Sequence, residues 1–195
     1  MTKSQTPLSL EHILLGFLCQ EPTHGYDLYK KINDFEGISL VWHIKQSLLY
    51  ALLDKLEKDG LVTSNRIPGN GNLVRKEYQV TPFGRQSFLT WATTPVSHGR
   101  EMHQEFLAKL YFARKSGALV CLELIEEQKV GCTEWLSSLH NNWVKTTNEQ
   151  DFKEMIFQYR IFQTQAMIEW LDYCSAEIQP ANPEVSGINL LWKSA

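Results

Sequence analysis

IKQSLLYALLDKLEKDGLVTSNRIPGNGNLVRKEYQVT, residues 44–81, is the stretch whose reading decides the fold. In its first part Leu48, Leu49, Leu52, Leu53 and Leu56 recur at helical spacing, which predicts a helix over residues 44–58 with one broad apolar face. Asp59-Gly60 closes that helix, with the glycine at the position that takes up left-handed backbone. At 1.5 Å per residue the helix is roughly 22 Å long. Two β segments follow, residues 61–67 and 73–81, rich in β-branched side chains and separated by the turn Pro68-Gly69-Asn70-Gly71-Asn72. Arg66 flanks the hairpin tip on one side and Arg75-Lys76 on the other. The outward positions at the start of the helix are Lys45, Gln46, Ser47 and Tyr50, and no carboxylate follows until Asp54. Cationic, amide, hydroxyl and phenolic groups at the front of a helix are what a nucleic-acid groove accepts. Alone they read as solvated surface; the basic-flanked hairpin beside them favours the groove.

Upstream, Leu10, Ile13, Leu14, Phe17 and Leu18 predict a helix over residues 8–20, with Ser9 as its cap, stopped by Glu21-Pro22. Thr23 reads as the cap of a second helix over residues 24–34, burying Leu28 and Ile32 and leaving Lys30 and Lys31 outside. Residues 35–42 are expected to be irregular. Downstream, Thr81-Pro82 reads as cap and first-turn proline of a fourth helix reaching Trp91, with Thr94-Pro95 ending it and His98-Gly99 marking a linker. Three helices followed by a basic-flanked hairpin is the order of a winged helix-turn-helix.

Three ordered blocks carry a more specific likeness. Leu14-Leu15-Gly16-Phe17-Leu18 with His24-Gly25-Tyr26-Asp27-Leu28 resembles the opening signature of the PadR family of transcriptional regulators. Residues 47–62 resemble that family's recognition helix and first wing strand, and residues 76–85 its second wing strand and following helix. Many members have proline after the recognition-helix tyrosine, where Ala51 stands here. Alanine is the better helix former, so the fold is unaffected, but no particular operator sequence carries over. The resemblance implies a DNA-binding regulator and makes Tyr26 a DNA contact; the other reading of Tyr26 is a ring half-buried between helices. The candidate DNA-contacting set is Tyr26, Lys30, Lys45, Gln46, Ser47, Tyr50, Lys55, Arg66, Asn70, Arg75 and Lys76. Tyr50 is read as a phosphate contact, and Arg66, Arg75 and Lys76 as phosphate contacts more than base readers.

The second half reads differently. Ala118, Leu122, Ile125, Lys129, Cys132, Leu136, Leu139 and Trp143 alternate at spacings of four and three, a heptad seam. Residues 151–177 form another long helix, apolar around more than half its circumference, and a shorter helix over residues 105–115 precedes both. A helical arm packed on the same arm of a second subunit accounts for the surplus apolar surface. The expected dimer contacts are Leu122, Ile125, Leu136, Leu139, Trp143, Tyr159, Phe162 and Trp170. Two-fold symmetry would set two recognition helices about 34–36 Å apart, matching successive major-groove faces. Trp135, Trp143 and Trp170 read either as core or as the lining of a pocket for a small aromatic effector, the ligand class the resemblance implies. The tail, with Leu190-Leu191-Trp192, is expected to fold back as an apolar latch.

Composition agrees. Net charge is −3, yet residues 1–95 carry ten Lys/Arg against nine Asp/Glu, whereas residues 96–195 carry nine against thirteen. Residues 37–53 and 60–76 contain no acid at all, the surface that docking on phosphates requires. No apolar run approaches the roughly 20 residues of a membrane span. The polar N-terminus and four scattered cysteines predict a reduced, cytoplasmic protein. No phosphate loop, G-x-S-x-G, H-E-x-x-H or Cys/His cluster is found, so neither catalysis, cofactor nor metal is expected.

The expectation is therefore a mainly α protein with a small β-hairpin wing. Residues 1–95 form a winged helix-turn-helix binding double-stranded DNA, and residues 96–195 a long-helix dimerisation domain. The resulting homodimer is a repressor on an inverted-repeat operator. The alternative is a winged-helix protein–protein adaptor that uses the aromatic arm.

Overall fold

A computed structural model describes residues 8–33, 37–68, 74–144 and 152–178. Asn70 and the tail with Leu190-Leu191-Trp192 lie outside the described residues. The N-terminal half contains α1 (Leu8–Gln20), β1 (Thr23–His24), α2 (Gly25–Asn33), a 3₁₀ turn (Ile38–Leu40), α3 (Gln46–Lys58), β2 (Val62–Pro68), β3 (Val74–Val80) and α4 (Pro82–Thr93). Ile13, Leu14 and Leu18 of α1, Leu28 and Ile32 of α2, and Phe88 of α4 are fully buried together with Leu49, Leu53 and Leu56 of α3. Each such side chain contributes roughly 1.5–3 kcal/mol by leaving water. The leucine stripe of α3 is thus what seats that helix on the core and turns its opposite face outward.

Helix α3 begins two residues later than its apolar pattern suggests and ends where Gly60 takes φ +72°. There the Leu61 N–H donates to the Leu56 carbonyl at 2.9 Å and the Gly60 N–H to that of Glu57 at 3.2 Å, satisfying two carbonyls of the last turn. Thr81 caps α4 by accepting the Gly84 N–H at 3.0 Å and itself donates to the Gly60 carbonyl at 2.8 Å, tying the end of α3 to the start of α4.

Two expectations around α1 and α2 are corrected. Helix α1 starts at Leu8, so Ser9 lies within its first turn rather than ahead of it. Thr23 is not a cap: Thr23 and His24 form a strand paired antiparallel with β3, opposite Tyr78 and Glu77, making a three-stranded sheet in the order β1-β3-β2. The Thr23 hydroxyl donates to the Glu21 carbonyl at 3.0 Å instead of accepting from the next helix. This third strand ties the wing to the entrance of α2.

The C-terminal half consists of a 3₁₀ turn (Gly99–His103) and the helices α5 (Glu105–Ser116), α6 (Ala118–Val144) and α7 (Phe152–Glu177). A second core forms from Phe106 and Ala113 of α5, Cys121, Leu124, Ile125 and Cys132 of α6, and Met167 and Leu171 of α7. Helix α5 serves both cores, because its Ala108 and Phe112 belong to the first. The segment between the halves is fastened by buried polar groups. Gln128 accepts the Val96 N–H at 2.7 Å and donates to the Val96 carbonyl at 3.3 Å. Lys109 donates to the Thr94 carbonyl at 2.7 Å, and Trp91 donates to Glu105 at 2.9 Å.

The heptad seam on α6 faces the chain's own interior at its buried positions. Ile125 and Leu139, assigned to the dimer contact, are buried within the chain, and Lys129 in that seam is ion-paired with Asp172 of α7. The seam is the intramolecular contact of α6, because α7 folds back along it. The four cysteines are free thiols, and burial pushes those of Cys19 and Cys121 up to about 11. Among the described residues no helix is long and apolar enough to cross a membrane.

Candidate nucleic-acid interface

The front of α3 is held at a defined angle by Asn33. Its side-chain oxygen accepts the Ile44 N–H at 3.3 Å, while its amide donates to the Ile44 carbonyl at 3.3 Å and to that of Tyr29 at 2.9 Å. One side chain at the end of α2 thereby grips the residue that leads into α3. Lys45, in extended backbone at the N-cap, makes no side-chain cap. A helix N-terminus without a side-chain cap is an arrangement that favours phosphate. Lys45, Gln46, Ser47 and Tyr50 are all exposed around that end.

Behind them lies a cleft of about 590 Å³ lined by His24, Gly25, Tyr26, Asp27, Tyr50, Asp54, Arg75, Lys76 and Tyr78. It joins the starts of α2 and α3 to the wing. A Cβ on Gly25 would lie 2.6 Å from Cε1 of Tyr50, so glycine is what lets the Tyr50 ring settle against the start of α2. Tyr26 projects outward, 52% exposed, with the Lys30 ammonium 4.6 Å from its ring centre. The His24 ring hydrogen-bonds the Lys76 carbonyl at 3.1 Å, holding the wing strand to β1. Tyr78 forms the buried floor; burial first, then the nearby Asp54, Glu57 and Tyr50, pushes its phenol up to about 12.

Of the candidate contacts, Tyr26, Tyr50, Arg75 and Lys76 share the cleft, and Lys45, Gln46 and Ser47 stand at the front of α3. Arg66 is exposed on β2, directly opposite Lys76. Lys55 is half-exposed and ion-paired: its ammonium is 2.6 Å from Glu11 and 3.7 Å from Asp59. Glu11, nearly buried on α1, takes that cation as its partner, because a carboxylate out of water needs one. Lys76 is also paired, 3.3 Å from Glu57. Asn33, Gly25 and Glu57 escaped sequence reasoning. Their signals, a polar side chain at a helix end, a glycine beside a tyrosine and an acid late in the helix, gain meaning only when distant segments meet.

The arm presents two further surfaces. Phe152, Met155, Tyr159, Phe162 and Tyr173 of α7 point outward, Tyr159 at 64% and Phe162 at 65% exposure. Of the remaining dimer candidates, Trp143 packs edge-on to Phe157 and Trp170 edge-on to Phe106, while Leu122 and Leu136 are half-buried. Between α6, α7 and residues 97–100 lies a cleft of about 610 Å³, lined by Trp135, Phe157, Tyr159, Arg100 and Arg160 among others. Trp135 alone of the three tryptophans lines it.

Two family models match the chain. Residues 14–90 match the transcriptional regulator PadR-like family, and residues 102–179 match the region described as virulence activator alpha C-term. The chain is 24% identical over 178 residues to the negative transcriptional regulator PadR of Bacillus subtilis (strain 168), covering 87% of this chain and 97% of that protein. Among solved structures it is similar to Bacillus subtilis PadR in complex with operator DNA (TM-score 0.44, 24% identity, 87% of this chain and 99% of that one). It is also similar to the same protein in complex with p-coumaric acid (TM-score 0.40, 22% identity, 87% of this chain and 98% of that one). By the three motif blocks and the family match, the chain belongs, through residues 14–90, to the PadR-like family of transcriptional regulators.

Proposed function

We propose that this regulator is a cytoplasmic homodimeric repressor that binds an inverted-repeat operator through α3 and the wing. The observation that carries the reading is the juxtaposition, on one side of the molecule, of the acid-free front of α3 with the cleft holding Tyr26, Tyr50, Arg75 and Lys76. Lys45, Gln46 and Ser47 enter the major groove. Tyr50, Arg66, Arg75, Lys76 and Lys30 contact phosphates on either side, and Tyr26 lies against the backbone. Repression follows the relative that is a negative regulator. The outward aromatic face of α7 takes the second copy, which supplies the second recognition helix. The cleft beside Trp135, with aromatic walls and two arginines, takes a small aromatic effector that alters the angle between the halves.

Replacing Lys45 or Tyr50 by alanine should weaken operator binding at least several-fold while the dimer, measured by light scattering, stays intact. Unchanged affinity would remove α3 as the reading element. The exposed aromatic face suits a foreign protein as well as a second copy. A monomer that forms a stable hetero-complex and selects no DNA would establish the adaptor reading instead.

A further inference from the structure

The wing carries two cations directly opposite each other. Arg66 of β2 and Lys76 of β3 are Cα partners across the antiparallel ladder. Like charges so placed are destabilising unless an anion lies close, and α3 supplies one. Glu57 places one carboxylate oxygen 3.3 Å from the Lys76 ammonium, and its other oxygen accepts the Ser64 hydroxyl of β2 at 2.6 Å. It is therefore held by one wing strand while it neutralises the other. Asp54, one turn earlier on α3, lines the same cleft as Arg75 and Lys76. Among the described residues Arg66 and Arg75 are in no ion pair, so Lys76 is the wing cation that comes with its own counter-ion. The Ser64 and Lys76 bonds hold the Glu57 carboxyl below its ordinary range, which keeps it ionised at neutral pH.

A duplex phosphate and Glu57 want the same ammonium. The Lys76 side chain is 42% exposed, so it can reach either. We propose that Glu57 is the internal counter-ion of the wing, holding Lys76 in the free protein and yielding it to a phosphate only once α3 is seated in its groove. The inference rests on the reading that the wing contacts phosphates. It makes Glu57 a specificity-determining residue that never touches DNA. Binding to arbitrary duplex is almost wholly phosphate electrostatics, so it feels each neutralised cation in full. Binding to the operator adds base contacts that offset the loss of the Lys76–Glu57 pair.

The test is Glu57→Gln in the full-length protein, since glutamine keeps the size and an oxygen for Ser64 while removing the charge. Binding to operator and to a scrambled duplex is measured across a salt series. We expect a several-fold rise in affinity for the scrambled duplex and a smaller rise for the operator. For the scrambled duplex, on which wild-type Lys76 stays with Glu57, the slope of log K against log[salt] should steepen by up to about 0.9. Adding Lys76→Gln to that variant should bring the slope back to the wild-type value. If Glu57 only braces the wing, both duplexes lose affinity in proportion with the slope unchanged. That result, or no change at all, overturns the proposal. Should Glu57→Gln melt early, Glu57→Ala removes the same charge and must steepen the slope equally. A wild-type protein whose duplex binding is insensitive to salt would reject the underlying phosphate reading, an outcome distinct from a salt-sensitive wild type with an unaltered variant.

Discussion

Gly84 has no room for a side chain, because a Cβ there would lie 2.0 Å from the Leu61 carbonyl oxygen. The contact is with backbone, so α4 would have to move off the start of the wing. Gly84→Ala is expected to cost roughly 1–3 kcal/mol in a denaturant melt, the range for overpacking. Gly25→Ala meets a ring rather than backbone. It should displace Tyr50 and weaken DNA binding more than it lowers Tm, so equal affinity for this variant and the wild type would show that Tyr50 needs no such seat. Tyr78 gives a pH test. An unfolded tyrosine ionises near about 10, whereas in the fold burial and the neighbouring acids raise this phenol to about 12. Its contribution to stability is complete below about pH 10 and is lost as the pH rises from there toward about 12. Ultraviolet titration should accordingly find one late-ionising phenol that Tyr78→Phe removes. At this scale the sequence was legible where a residue acts through its neighbours in the chain: Thr81 with Pro82, or Gly60 after Asp59. It was illegible where the partner is remote, as for Lys55 with Glu11 or Lys76 with Glu57.

Helices α3 to α7 were readable to within a few residues, since each is long enough for an apolar face to repeat. Strand β1 was not, because two residues show no alternation and its pairing with Tyr78 and Glu77 spans more than half of the N-terminal region. The heptad seam taught a different lesson. Its period correctly marks a face of α6 that leaves water, but a period carries no information about which helix covers it. The cover is α7, with α5, of the same chain, and the other face of α7 is exposed. The same second core makes Gln128 an element-scale joint, clamping the Val96 backbone to α6. Gln128→Ala leaves a buried N–H and C=O without their partner and should cost about 1–3 kcal/mol. Hydrogen exchange should show the Val96 amide opening first; full protection in the variant would show that the joint lies elsewhere.

For the molecule as a whole, two cores sharing α5 connect the proposed DNA-reading face to an arm with an exposed aromatic stripe. In the proposed homodimer Phe162→Glu places a charge in the subunit contact. It should yield monomers by light scattering, with operator affinity falling steeply because two linked half-sites become one. A dimer that survives this substitution would move the contact off α7. The central claim, a two-fold reader of double-stranded DNA, is tested most directly by sequencing the fragments that the purified protein selects from a random duplex library. The account predicts an enriched inverted repeat whose half-sites lie about one helical turn, or a multiple of it, apart. A single unrepeated half-site, or no enrichment over input, would contradict it.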